Sequence, residues 1–255
     1  MKSLSLIFGL AIAISTALWS HSALAQNAHS WVSNTGLDTN PCTLAQPCAT
    51  FVAAYDVTNA GGEIICLNPG IFYSSTTTPF TIGHSLKIRC KGVHAGIDGE
   101  IVVAAGPTDK VVLNGLTIGA QGFPNCVQFN SGAFLYIFDS SLGGSSFCVR
   151  ANSTTPNARV FIKGSTISGA SQAGVLVNPA GSTVNIVSIV DSLLDSNGPI
   201  AVSLTTPGAI LGLQSSILNG SPAAISLSGG ASAYTVGGTN SVNGTFTFNG
   251  TIPLN

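Results

Sequence analysis

Asp139 and Asp191 each sit three residues ahead of an aliphatic that closes a recurring pattern, Leu142 and Leu194, and Gly164 holds the same place in the copy between them. If successive copies stack as neighbouring strands, the two carboxyls stand two spacings apart, about 9.6 Å. An inverting glycosidase keeps its general acid and its general base about 6.5–9.5 Å apart, leaving room for a water. Lys163 adjoins Gly164 and would lie close to both. Asp139, Asp191 and Lys163 are therefore the catalytic candidates. A bend between two strands accounts for the aspartates equally well, because Asp hydrogen-bonds the backbone at turns.

Other clusters point less clearly to chemistry. Ser140, Ser165, Ser192 and Ser215 form a column, but no histidine is placed to activate any of them, so they are expected to be a stacked small-polar ladder. Asp98 and Glu100 flank Gly99 and read as a polar turn. Arg150, Arg159 and Lys163 are the one basic grouping, and could meet an acidic sugar or simply edge a solvated loop. His84, His94 and Asp98 lack diagnostic metal spacing, and no Cys-x-x-Cys or His-x-x-x-His occurs, so neither a metal nor another cofactor is expected.

The elements that must position these residues are short strands. Val111–Ile118, Leu135–Leu142, Val160–Ile167, Val184–Leu194, Ile210–Ile217 and Thr235–Val242 are copies of one pattern. Their closing aliphatics, Ile118, Leu142, Ile167, Leu194, Ile217 and Val242, are 24, 25, 27, 23 and 25 residues apart. A second stripe runs between the copies: Cys126-Val127, Cys148-Val149, Val175 to Val177, Ala201-Val202 and Ile225 to Leu227. Apolar alternation with period two marks strands. Runs this short bury nothing alone, whereas stacked coils pair each strand with the next and fill a continuous interior. The chain is predicted to be all-β, a right-handed parallel β-helix. A β-sandwich has no reason to repeat one aliphatic column at near-constant spacing.

Charged residues are 7% of the chain and hydrophobic residues 45%, with a formal net charge of −1. So few charges exclude a protein that tracks nucleic-acid phosphates. They also limit affinity for strongly acidic polymers, so a bound glycan is expected to be neutral or weakly acidic. Residues 1–25 read as a secretory signal: Lys2, the apolar run Leu4 to Trp19, and Ala23-Leu24-Ala25 as cleavage pattern. Loss of Lys2 takes the net charge to −2. No later run is long enough to span a bilayer. The expected location is secreted, in the periplasm or outside the cell. All six cysteines follow this segment, which favours disulfides. Cys66 and Cys90 share a strand phase, as do Cys126 and Cys148, and Cys42 and Cys48 close a small loop. The predicted bridges are 42–48, 66–90 and 126–148, the last two as rungs between adjacent coils.

The open end of a stack needs covering. Cys48 to Asn59 is the one convincing helical stretch, with Gly61-Gly62 as its stop, and it is predicted to cap the first coil. Trp31-Val32-Ser33, Gly36, Asp38, Asn40-Pro41-Cys42, Pro47 to Phe51, Ala60 to Ile64 and Pro69-Gly70 resemble the opening cap of secreted bacterial β-helix proteins of the pectin-lyase-like superfamily. The resemblance covers roughly residues 31–70. That superfamily holds polysaccharide lyases, glycoside hydrolases and non-catalytic surface proteins, so the resemblance implies a fold and not an activity. The lyases use clustered carboxylates with calcium and an Arg or Lys base, and the hydrolases grouped aspartates. No Asp-Asp, Asn-Thr-Asp or His-Gly stands here.

The predicted organisation is a signal at 1–25, a cap at 26–62, coils over 63–248 and a tail at 249–255. The last charged residue is Asp195, and the neutral end that follows could self-associate or dock on a partner. The expected function is a disulfide-braced module that binds an extracellular polysaccharide or cell-surface component. A lyase or hydrolase with a site assembled across coils is the alternative.

Overall fold

The computed structural model describes residues 27–120, 122–181, 183–195, 198–237, 239–246 and 250–252. The expected signal segment lies outside them, as does most of the 249–255 tail. Strands pair in parallel with the strand one coil away. Ten of them stack as one sheet, face A. It runs from Asn27–Val32 through Thr58–Cys66, Leu86–Arg89, Lys110–Asn114, Phe134–Phe138, Ala158–Lys163, Asn185–Val190, Ala209–Gln214 and Ser232–Val236 to Gly250–Ile252.

A fourteen-stranded sheet folds over the other two faces. Face B takes the short strand after each bend, as in Leu116–Gly119, Ser141–Gly143, Thr166–Ser168 and Leu193–Asp195. Face C takes the strand that follows, as in Ile101–Ala104, Asn125–Ser131, Phe147–Ala151, Ala173–Val177 and Ile200–Leu204. Ile217–Leu227 passes from B to C and joins the two. Parallel crossovers of this kind coil right-handedly, and the molecule is a right-handed parallel β-helix.

The interior is the set of inward columns. Ile118, Leu142, Ile167 and Leu194 follow one another in register and are buried. Each contributes about 1.5–3 kcal/mol by leaving water. The next member is Leu218, in register with Leu194 and fully buried, and then Val242. Ile217, expected in this column, is 46% exposed. The expected alignment slips by one residue in this coil, because Ser215 rather than Gln214 is the bend residue.

The cap helix is six residues long, Phe51–Asp56, shorter than the predicted Cys48–Asn59. Asp38 sets its start, accepting the Ala49 and Thr50 amides at 2.9 Å each and the Thr50 hydroxyl at 3.0 Å. Thr50 Oγ1 in turn accepts the Ala53 amide at 3.2 Å, a helix N-cap. Gly36 has to be glycine, since a Cβ there would lie 2.2 Å from the Cys48 carbonyl oxygen. Gly61-Gly62 does not stop the helix. It lies inside the strand Thr58–Cys66, where the pairing with Asn27–Val32 shifts register. Phe51 plugs the first coil against Phe72, with ring centroids 5.4 Å apart.

Cys42–Cys48 and Cys66–Cys90 are disulfides, with Cα atoms 4.7 and 4.9 Å apart. Bonds of this kind belong to proteins that fold outside a reducing cytosol. The expected third bridge is absent: Cys126 and Cys148 are buried thiols. They are neighbours in register, as Cys66 and Cys90 are. Each sulfur finds other partners instead: Cys126 Sγ donates to the Gly143 carbonyl at 3.4 Å and lies 3.3 Å from Ser145 Oγ, and Cys148 Sγ lies 3.7 Å from the Ser168 carbonyl. Cys148 donates to Cys126, which pushes the Cys148 thiol up and holds Cys126 down.

Candidate functional site

The bend from face A to face B is two residues long, except after Asn114, where Gly115 alone forms it. The first takes a positive φ: Gly115 at 75°, Asp139 at 47°, Gly164 at 62°, Asp191 at 47° and Ser215 at 47°. Glycine adopts this conformation freely, and Asp does so more readily than most side chains. The backbone here is shared between coils, with Asp139 N donating to the Lys163 carbonyl at 3.0 Å and Asp191 N to that of Gln214 at 3.1 Å.

The second bend residue is a buried serine. Ser140 N donates to Ser165 Oγ at 3.2 Å, Ser165 N to Ser192 Oγ at 3.2 Å and Ser192 N to Ser216 Oγ at 3.1 Å. Each hydroxyl donates to the carbonyl two residues back, at 2.7 to 3.0 Å. The ladder ends where Ser216 N donates to Asn240 Oδ1 at 3.0 Å. Its member in that coil is Ser216, not the expected Ser215. Every hydroxyl is committed to the backbone, so the column is scaffold.

The ladder turns the acidic candidates outward. Asp139 Oδ2 pairs with Lys91 Nζ at 2.8 Å, and Asp191 Oδ2 with Lys163 Nζ at 3.8 Å. Lys91 comes from a longer bend two coils below Asp139, a link that no local spacing reveals. A Cβ on Gly164 would lie 2.8 Å from Asp139 Oδ1, so this carboxylate leans over the glycine toward Asp191. Between the Lys91 bend and the bends of the next three coils lies an open groove of about 490 Å³. Thr117, Ser141 and Thr166 line it in register, and His94 and Asp139 stand on its rim.

Face A meets this groove and carries the feature missed in the sequence. Phe134, Tyr136 and Phe138 project outward from one strand, while Leu135 and Ile137 point into the core. The Phe134 and Tyr136 rings are 5.7 Å apart and 8° from parallel, and Phe138 continues the row 5.7 Å from Tyr136. Phe161, on the next coil, meets Tyr136 and Phe138 edge-on at 6.3 and 6.0 Å. Lys110 Nζ stands 5.4 Å over the Phe134 ring, and the exposed Arg159 is its register neighbour on the other side. The signal was the period-two spacing of three aromatics. Alternation in a run made wholly of apolar residues does not say which of its two sets faces water.

The cations gather here as well. Among the described residues, every Lys and Arg except Arg150 lies on the outer side of face A or at its bend: Lys87, Arg89, Lys91, Lys110, Arg159 and Lys163. The acids beside them are Glu63, Asp139 and Asp191. Glu63 is flanked by Lys87 Nζ at 3.0 Å and Arg89 Nε at 2.9 Å. Burial works to raise its carboxyl, but these two cations outweigh it and hold the group below its ordinary value. The expected grouping of Arg150 with Arg159 and Lys163 does not form, because Arg150 is on face C, with Nε 3.4 Å from Asn178 Oδ1.

One carboxyl on face C stands apart. Glu100 is 5% exposed and accepts from Asn125 Nδ2 at 2.7 Å. Burial raises its pKa, against the Asn125 hydrogen bond and the charge of Arg150. His84 stacks on Tyr55, ring centroids 4.6 Å apart. Among the described residues no three His, Cys, Asp or Glu side chains gather as metal ligands.

No protein-family model matches the chain, and no curated protein matches it. A crystal structure of pectate lyase Pel9A is similar at 11% identity and a TM-score of 0.45, over 89% of this chain and 80% of that one.

Proposed function

We propose that this is an exported, non-catalytic β-helix that binds a weakly acidic glycan on face A. The row Phe134–Tyr136–Phe138, with Phe161 beside it, carries the reading. Aromatic rings in a row on a rigid sheet offer apolar faces to the C–H faces of successive sugar rings and lose little side-chain freedom on binding. Lys110 and Arg159, on the coils either side of Phe134, give carboxylates of the ligand a charged partner. The chain as a whole is nearly uncharged, yet its cations sit on one surface, which makes a spaced-carboxylate glycan a better fit than a neutral one.

The placement of Asp139 and Asp191 speaks against bond cleavage, since each is at a bend and each faces an ammonium. The second reading is a hydrolase or lyase assembled across coils, and the raised carboxyl of Glu100 favours it. Burial of that group at 5% exposure keeps a polymer from reaching it.

The test is calorimetric titration of residues 26–255 with alginate, polygalacturonate and cello-oligosaccharides, while reducing ends and unsaturated products are followed. Binding of an acidic polymer is expected, weakening with salt. Tyr136→Ala should weaken it roughly tenfold, about 1.4 kcal/mol. Turnover of any polymer, or binding indifferent to Tyr136→Ala, would overturn the reading.

A further inference from the structure

We propose that the groove at the bend of faces A and B is a second subsite, which takes a terminal sugar of the glycan whose preceding units lie on the aromatic row. The inference rests on the binding role of face A given above.

Continuity comes first. Phe138 is the last ring of the row and is followed directly by Asp139, so the row ends where the groove begins. Register places Asn114 beside Phe138, and its side-chain oxygen is buried without a hydrogen-bond partner.

The groove is kept open by backbone chemistry. Gly115 and Gly164 flank Asp139 in the bend column, with φ of 75° and 62°. A Cβ on Gly115 would lie 2.4 Å from the Lys91 amide nitrogen. No side chain can therefore fill the floor on either side of Asp139 without moving the Lys91 bend or Asp139 itself.

The groups facing the space suit a hydroxylated ring. Asp139 Oδ2 is held by Lys91, while Oδ1 accepts no hydrogen bond among the described residues and its side chain is 41% exposed. A carboxylate held in this way accepts from adjacent hydroxyls of one sugar, and the ammonium beside it donates to a ring or hydroxyl oxygen. Thr117, Ser141 and Thr166 add a row of hydroxyls at the spacing of neighbouring strands, about 4.8 Å. The lining has no Phe, Tyr or Trp, and its one ring is His94 on the rim, so the sugar is held by its polar edge rather than by stacking. Lys91 and Asp139 neutralise each other, which suits an end unit engaged through its hydroxyls with its own carboxylate turned away from Asp139.

Alginate oligomers of graded length separate the two subsites. Short oligomers should occupy the aromatic row alone, and longer ones should reach the groove. Ser141→Trp fills the groove from an exposed position on face B. Asp139→Asn keeps a residue that tolerates positive φ but removes the charge. Each variant is expected to leave short-oligomer affinity unchanged and to cut long-oligomer affinity about tenfold. Tyr136→Ala should weaken short and long alike. Should Ser141→Trp fail to fold, Asp139→Asn decides. Long-oligomer affinity unchanged in the folded variants, with Tyr136→Ala still weakening both, would refute the groove and leave the face A reading standing. Tyr136→Ala without effect, or no oligomer bound by the unaltered chain, would refute the reading on which the groove depends.

Discussion

Single residues in this protein act through the backbone they hold. Ser165 is the clearest case: its hydroxyl accepts the Ser140 amide and donates to the Lys163 carbonyl. Ser165→Ala leaves the buried Ser140 amide without this acceptor, while the Lys163 carbonyl keeps the Asp139 amide, and should cost about 1–3 kcal/mol in a urea unfolding curve. Ser141→Ala, one coil away but exposed, should cost almost nothing. Glu100 works in the other direction. Its carboxyl holds a proton to higher pH in the folded chain than in the unfolded one, so stability falls as pH rises from 4.5 through the folded pKa. Glu100→Gln removes that loss. The variant should melt above the parent at neutral pH and level with it well below pH 4.5, and a difference that grows on acidification would contradict the sign. The serine column was legible in the sequence as a ladder with one member misplaced. The partner of Asp139 was not, because Lys91 is brought to it by coil geometry and not by spacing.

At the scale of the strand, inward and outward positions carry opposite demands. Ile167 is fully buried between Leu142 and Leu194. Ile167→Asp would place an unpaired charge there and should cost several kcal/mol, enough to unfold a domain of ordinary stability. Ile217→Asp should be close to neutral, because that side chain is 46% exposed and Leu218 takes the core position. Equal losses in the two variants, measured by thermal melting, would show that the register is wrong. Alternation made the strands legible, and near-constant spacing made the stacking legible. The outward residues of the same strands were harder to read, since an aromatic row looks like core until the register says which alternate positions face water. Phe134, Tyr136 and Phe138 were hidden in this way. The cap helix was overestimated for a related reason: Gly61-Gly62 stops helices in general, but here it lets Thr58–Cys66 shift against Asn27–Val32.

The whole molecule joins a sparsely charged chain to a polarised surface. Composition argues against a nucleic-acid partner on grounds of total charge, but total charge says nothing of where charges go. A β-helix with a repeat near 24 residues returns residues far apart in sequence to one face, and here it gathers Lys87, Lys110, Arg159 and Lys163 on face A. The bend architecture also has a consequence for the length of the protein. Because Lys163 and Val190 are register partners and both precede a positive-φ residue, residues 164–190 form one full circuit that begins and ends at the same place. Their removal would join Lys163 to Asp191 as Val190 is joined to it now. The losses include the hydrogen bonds of Ser153 to Asn185, at 2.7 and 3.2 Å, and of Arg150 to Asn178, and Asp191 takes the place of Gly164, so the Asp139 side chain must shift aside. The shortened chain should fold cooperatively, with a lower melting temperature and an intact aromatic row, as expected when stability is a sum over neighbouring coils. An unfolded or aggregated product would mean that the coils are not interchangeable units. If it folds, the number of circuits is a quantity that duplication and deletion can change, one turn at a time, without rebuilding the aromatic row.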